Sequence, residues 1–287
     1  MYHGMYVMCL QKCFMKRVGT IVQSCAKDGC TPMVAADYGT GQLLKPFLVM
    51  TGVTGAQLDN LFKSWPTTEG NTCTAAFQKK HWVDKFITIR WLAWLKKQFP
   101  TGSKLLLIWD HAPAHDAAEV SVYLKANTAW LVVKVIPGGL TSVMQICDLT
   151  ANAQLKRDFQ FYYMEWRAGE LSKLQQAYEE HVAEADGAAA DPPKPVLKRD
   201  RRAIIRMVEQ AFAKFNAAEV AKPLAQRCIR KTFAQAGQDP WAADTTAFKQ
   251  HLDSLGSNPV YGLLTPKQVR HNIADQLLAN QMAQLQL

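Results

Sequence analysis

Two short apolar runs constrain this chain more than any other feature: Lys104–Asp110 (KLLLIWD) and Leu131–Ile136 (LVVKVI). Their length and continuity predict strands buried in a sheet. Between them, Asp116 to Ala126 is expected to be helical, with Asp116 in the N-cap position. Strand, helix and strand at this spacing predict a right-handed crossover and a parallel pair. The first run ends on Asp110. The second leads through Pro137-Gly138-Gly139 to a helix expected to begin near Asp148 and to end near Trp166. Thirty-seven residues separate the two aspartates. An acid at a strand end and another opening a helix suit a divalent metal, which prefers oxygen ligands. Each acid also has a plainer reading. Asp110 ends a buried strand at a turn, and Asp148 sits where a helix dipole favours a negative charge.

Upstream, Thr20–Gln23 and Thr31–Asp37 read as strands, Tyr38-Gly39-Thr40-Gly41 as a turn, and Leu43–Thr51 as a second apolar run. This is a hairpin pattern in which Pro46 marks a bulge or an edge. Trp82 to Phe99 has helical periodicity, with Trp82, Phe86, Ile89, Trp91, Leu92 and Leu95 near one stripe. Antiparallel strands first and parallel strands later imply a mixed sheet. Asp186–Pro195 (DGAAADPPKP) is the clearest linker. Beyond it Ile204, Ile205, Val208, Ala211, Phe212 and Phe215 form an apolar helix face. Thr265 and Pro266 start a further helix whose stripe is Val269, Ile273, Leu277 and Met282.

The formal net charge of +9 favours a polyanionic partner. Lys79, Lys80, Lys156, Arg157, Lys198, Arg199, Arg201 and Arg202 are the basic residues placed to follow a nucleic-acid backbone, and each also fits an ordinary solvated face. No apolar run is long enough to cross a membrane, so no membrane partner is expected. Seven cysteines without a secretory signal point to free thiols in a reducing compartment. Cys9, Cys13, Cys25 and Cys30 are spaced too loosely for a zinc knuckle. The KRDRR run at 198–202, beside the linker, fits a nuclear import signal.

Three segments carry a resemblance to a known family. LLLIWDHAPAH resembles the second-acid motif of DDE-type transposases of the pogo, Tigger and jerky branch, in which an Asp ends an apolar strand and a short polar stretch ends in His. PGGLTSVMQICDLTANAQLKRDFQFYY resembles the third-acid motif, with Gln145 and Asp148 matching its Gln-x-x-Asp. MVAADYGTGQLLKPFLVMTG resembles the family's hairpin, and Arg201 to Leu255 the helical tail of some members. The resemblance implies an α/β fold of ribonuclease H-like type: a mixed sheet with flanking helices, followed by a helical C-terminal region. It implies metal-dependent cleavage and joining of DNA with Mg2+ or Mn2+. Asp110 and Asp148 would be catalytic metal ligands, with His115 and Gln145 in support. DNA is the implied partner, and a homo-oligomer is compatible with it.

The family places a first Asp on a first strand, ahead of the hairpin. Here that strand is expected either to lie before Met1, the chain then being N-terminally truncated, or to have been replaced by MYHGMYVMCLQKCF, which holds no acid. The expected organisation is therefore residues 1–170 as a ribonuclease H-like domain lacking its first strand, 171–199 as helix end and linker, and 200–287 as a helical region. Asp37 and Asp28 are the candidates for a substitute first acid. Three functions remain open: a DNA-binding protein with impaired catalysis, an active Mg-dependent endonuclease with a substitute acid, and a non-catalytic protein-interaction module.

Overall fold

Met5–Leu10 forms a strand, β1, at the centre of the sheet. It pairs antiparallel with β2 (Cys30–Asp37) and parallel with β6 (Leu105–Trp109). This corrects the expectation of a missing first strand: the acid-free segment itself takes the place between hairpin and crossover. The computed structural model describes residues 5–10, 30–52, 73–79, 82–136, 140–184, 201–239 and 245–256. The expected strand at Thr20–Gln23, the linker at Asp186–Pro195 and the stripe from Val269 to Met282 lie outside them.

The hairpin continues with β3 (Gln42–Leu43) and β4 (Phe47–Thr51), and β5 (Thr74–Gln78) lies parallel to β4. Pro46 breaks the expected single run into these two strands, since it lacks the N–H a ladder needs. After α1 (Lys85–Lys96), β6 and α2 (Ala118–Ala126), β7 (Leu131–Val135) pairs parallel with β6, as the crossover pattern predicts. The sheet order is β5-β4-β2-β1-β6-β7, with β3 on β2. A short α3 (Thr141–Met144), a π-helical turn (Cys147–Ala151) and the long α4 (Asn152–Glu184) follow. Then come α5 (Arg201–Val220), α6 (Cys228–Gln235) and α7 (Thr246–Gly256).

Strand alternation divides the core between the two sheet faces. Met33, Ala35, Leu105, Leu107 and Trp109 pack with Ile87, Trp91, Leu92 and Leu95 of α1 and Val120 of α2. Val34, Ala36, Leu48, Met50 and Ile108 pack with the π-helical turn, α4, α5 and α6. Helices thus cover both faces of a mixed sheet, which is the α/β, ribonuclease H-like arrangement.

Two local expectations need correction. Trp82 and Phe86 are exposed rather than part of the buried stripe. Asp84 is the α1 N-cap and accepts from Ile87 N at 2.9 Å, so Trp82 precedes the helix and Phe86 turns outward from its first turn. Asp116 does not cap α2: the N-cap is Ala117, and Asp116 instead faces His111 Nδ1 at 3.2 Å.

The helix α5 belongs to the same core as the hairpin. Its Ile204, Ile205, Val208, Ala211, Phe212 and Phe215 are buried in one cluster with β2 and β4. Asn216 extends the sheet edge with its side chain, accepting from Leu43 N at 2.8 Å and donating to Leu43 O at 2.9 Å. Arg227, the N-cap of α6, donates to Thr40 O, and Arg230 of α6 donates to Tyr38 O and lies 3.6 Å from the Tyr38 ring centre. Asn216→Ala leaves both Leu43 backbone groups unpaired beneath α5. It is expected to lower stability by about 2–3 kcal/mol, read as a fall in the urea midpoint without a change in slope.

Candidate functional site

Strand register brings the two acids of the motifs to one end of β1. In the parallel β1–β6 pair Cys9 is beside Trp109, so Asp110 follows at the level of Leu10. In the antiparallel β1–β2 pair Leu10 is beside Val34. Cys147 is fully buried and donates its thiol to Val34 O at 3.8 Å. Asp148, the next residue, is thereby anchored at the same level. The π-helical turn lies over β1 and β2.

Asp110 is largely buried and is held by His115. The imidazole is 1% exposed, stacks on Trp109 at 4.1 Å and 4°, and has Nδ1 2.9 Å from Asp110 O and 3.2 Å from Asp110 Oδ1. One Nδ1–H cannot serve both oxygens fully. The carbonyl takes it, and Oδ1, shielded from solvent, accepts no hydrogen bond. A buried carboxylate oxygen left this way suits a cation.

Asp148 is half-buried in the π-helical turn rather than at the start of a regular helix. Its N–H and that of Leu149 donate to Gln145 O, at 3.0 and 3.1 Å. Gln145 is fully buried, so it shapes the turn that presents Asp148. Asn152 Nδ2 donates to Asp148 Oδ1 at 2.7 Å. Asn152 was not singled out from sequence, although an amide four residues after an acid is a recognisable helical pair. Thr150 and Thr232 bond hydroxyl to hydroxyl, tying α6 to the same turn. Burial, and then the Asp148 charge, push the Cys147 thiol far up, so this cysteine packs and does not act as a nucleophile.

Asp37 is not brought to this pair. It lies beside Val7, three residues back along β1 and one strand further across than β1 itself. Strand spacing and rise put it roughly 14 Å from Asp110. Its oxygens are engaged in the hairpin turn: Oδ1 accepts from Gly39 N at 2.7 Å, and Oδ2 from Thr40 Oγ1 at 2.7 Å and Thr40 N at 3.3 Å. Gly41 closes that turn with φ of +63°, where a side chain would strain the backbone and meet Arg227. Asp28 lies outside the described residues, as do Lys80, Lys198 and Arg199.

Among the described residues no three His, Cys, Asp or Glu side chains gather into a group able to hold a metal ion. Two carboxylates suffice for one hydrated ion, but not for the three-carboxylate cradle that the motifs imply. The described residues do not complete that cradle, and no step through an ion is derived from it.

Of the basic candidates, Lys156 and Arg157 are exposed on the first turns of α4, about 12 Å along the chain axis from Asp148. Arg201 and Arg202 open α5, and Lys79 follows β5 on the sheet edge. Register sets Lys79 beyond the Leu10 end of β1, on the edge strand of the sheet.

Two outcomes are expected from this geometry. His115→Ala removes a buried ring from Trp109 and its bond to Asp110 O. It should cost about 2–4 kcal/mol in a denaturant titration. Burial raises the Asp37 carboxyl above its ordinary range despite the opposing Thr40 and Gly39 hydrogen bonds and the Arg230 charge. The folded state therefore binds more protons than the unfolded one between the ordinary value and the raised one. Stability contributed by protonated Asp37 is present below that window and is lost as pH rises through it. Asp37→Asn should flatten this fall in a series of urea midpoints measured upward from about pH 4.

The model of a family described as DDE superfamily endonuclease matches residues 27–221, more than half of the chain. No curated protein and no solved structure matches it significantly. Endonucleases of this superfamily act on DNA and generally use divalent metal ions. Among the described residues no helix is long and apolar enough to cross a membrane. The match runs from the segment before β2 through α5, covering the hairpin, both acid motifs and the helix that closes the core, and the chain belongs to the DDE superfamily endonuclease family.

Proposed function

We propose that this chain is a transposon-derived, DDE endonuclease-like protein that binds DNA and whose ancestral cleavage and strand transfer are impaired. The observation that carries this reading is β1. The strand that should bear the first acid is present and central, yet MYVMCL contains no carboxylate, and the residue level with Asp110 is Leu10. The next acid in the chain is Asp28. With two carboxylates in place of three, a pair of ions lacks the charge that would hold it against mutual repulsion.

DNA affinity does not depend on those acids. Phosphate contacts come from cations on exposed helix faces, and the net charge of +9 supplies the long-range attraction. Lys156 and Arg157 on α4 are the residues proposed to meet the backbone beside the site. The basic run at 198–202 is proposed as a nuclear import signal.

The test is plasmid nicking with manganese, beside duplex-DNA binding over a salt series. The wild-type chain is expected to bind duplex and to nick no more than Asp110→Asn or Asp148→Asn. Cys9→Asp and Leu10→Asp, neighbours that face opposite sides of a strand, are the restoring variants. One of them should raise manganese-dependent nicking at least tenfold over wild type. Lys156→Ala with Arg157→Ala should flatten the slope of log affinity against log salt by about 2, one contact each. Wild-type nicking that vanishes in both Asn variants would overturn impaired catalysis in favour of a hidden third ligand. Absence of DNA binding would overturn the nucleic-acid role in favour of a protein-interaction module.

A further inference from the structure

Helix α4 runs eighteen residues beyond the Trp166 at which the sequence pattern predicts its end. Its inner face packs on the core through Leu155, Phe159 and Tyr163, with Trp166 half-buried against the same cluster. From Arg167 onward every described side chain is exposed or half-exposed. An isolated helix of about five turns is marginal in water, and most helices persist by packing an apolar face. This one carries such a face, on the side opposite the core. Phe161, Met164, Ala168, Leu171, Gln175 and Tyr178 follow one another at spacings of three and four, the a and d positions of a heptad repeat. Four of them are large apolar side chains left open to solvent: Phe161 at 53%, Met164 at 58%, Leu171 at 48% and Tyr178 at 44%.

We propose that this seam is a dimerisation surface and that its partner is the same seam of a second copy, parallel and in register. The argument for a second copy is the self-complementarity of the stripe. In a parallel pair each d residue meets itself, stacking Met164, Leu171 and Tyr178 on their own copies. The single polar a residue, Gln175, then lies beside Gln175 of the other copy, where two amides can exchange hydrogen bonds. Its present partner, Glu179 at 2.9 Å, sits on the flank and does not cover the seam. An antiparallel pair of the same overlap would set each Gln175 against Met164 and leave the amide unpaired, at a cost. A lone polar a residue is a known device for fixing register. The flanking residues agree: Arg167 faces Ser172, and Leu174 faces Glu179, with no like charges opposed in the parallel register.

The size of the contact sets its strength. Four half-exposed large side chains per copy bury roughly 600–1,000 Å² in total over two copies. That lies in the range of weak, transient contacts, so the dimer is a reversible one. At its start Lys214 of α5 lies 5.6 Å from the Phe161 ring and holds Asp158 at 2.6 Å, edging the seam without filling it. Among the described residues the core packs on the opposite side of α4 from the seam. This proposal stands apart from the state of the acidic site.

Sedimentation velocity of the full chain over a concentration series decides it. The mass is expected to rise from 32.1 kDa toward twice that value as concentration passes through the micromolar range. Leu171→Glu with Tyr178→Glu should weaken the dimer at least tenfold while leaving the near-ultraviolet dichroism of the core unchanged. Gln175→Leu works in the opposite direction and should tighten association, an outcome a misfolded variant would not give. Gln175→Cys should form a disulfide-linked dimer on mild oxidation that the wild-type cysteines do not give. A chain monomeric at every concentration overturns the proposal, and so does a dimer unmoved by the two glutamates. Crosslinking that needs a mixture of Met164→Cys and Gln175→Cys chains overturns the parallel register.

Discussion

The pairing of Met5–Leu10 with strands on both sides is the constraint on which the rest depends. One flank of the sheet is an antiparallel hairpin, β2 to β4, with β5 beside it. The other is the parallel pair β6 and β7. Among the described strands only β1 touches both. It therefore sets how far β6 slides against β2, and with it whether Asp110 arrives level with Val34 and the turn that carries Asp148. A slip of one residue would turn every β6 side chain to the opposite face and empty both core clusters together. The site is thus a consequence of register, fixed by apolar pairing, before any acid is considered.

On the proposed reading, this also accounts for a strand that keeps its place without an acid. A central strand is selected for ladder hydrogen bonds and for apolar fit. A carboxylate at its end is, for folding, a burden: three acids gathered in a partly buried place repel one another until a cation arrives. Met, Cys and Leu in that strand are compatible with a stable sheet. The pair is positioned by local hydrogen bonds that need no metal: His115 bonds the Asp110 carbonyl, and Asn152 donates to the Asp148 carboxylate. Fold and chemistry answer to different demands, so membership of an endonuclease family fixes the first and leaves the second to the site.

Much of the architecture was legible because it rests on local pattern. LLLIW and LVVKV are continuous apolar runs, and the helix between them forces a parallel crossover. ADYGTG announces a hairpin turn, and Gly41 does adopt a positive φ there. What escaped had non-local causes. MYVMCL is short and carries no alternation strong enough to mark it as a central strand; its role comes from the two partners that flank it. Asp116 looked like a cap because its type and position suit one, but His111 competes for it. Asp37 looked available as a ligand, whereas the turn that follows uses both its oxygens. Asp110 and Asp148 could be singled out by their words; that Leu10 and Val34 set them at one level required the register.

The long helix α4 joins these threads, because it leaves the acidic turn and ends far from the sheet. Its inner face obeys the core and its outer face follows a heptad spacing, so it is apolar on two opposite sides. A surface helix needs only one apolar stripe, with a polar opposite face. Retaining two is costly for solubility, since exposed apolar area invites non-specific contact. The second stripe is also ordered, with large residues at d and one amide among the a positions, where incidental exposure would scatter them. A rigid rod starting four residues after Asp148 couples whatever holds its outer face to the orientation of that acid. The proposed dimer would then fix two nucleic-acid surfaces relative to each other, and binding of one duplex by two copies gains from effective concentration with no new contact. Affinity gained this way asks nothing of the metal chemistry, so the proposed DNA-binding role would not depend on a first acid.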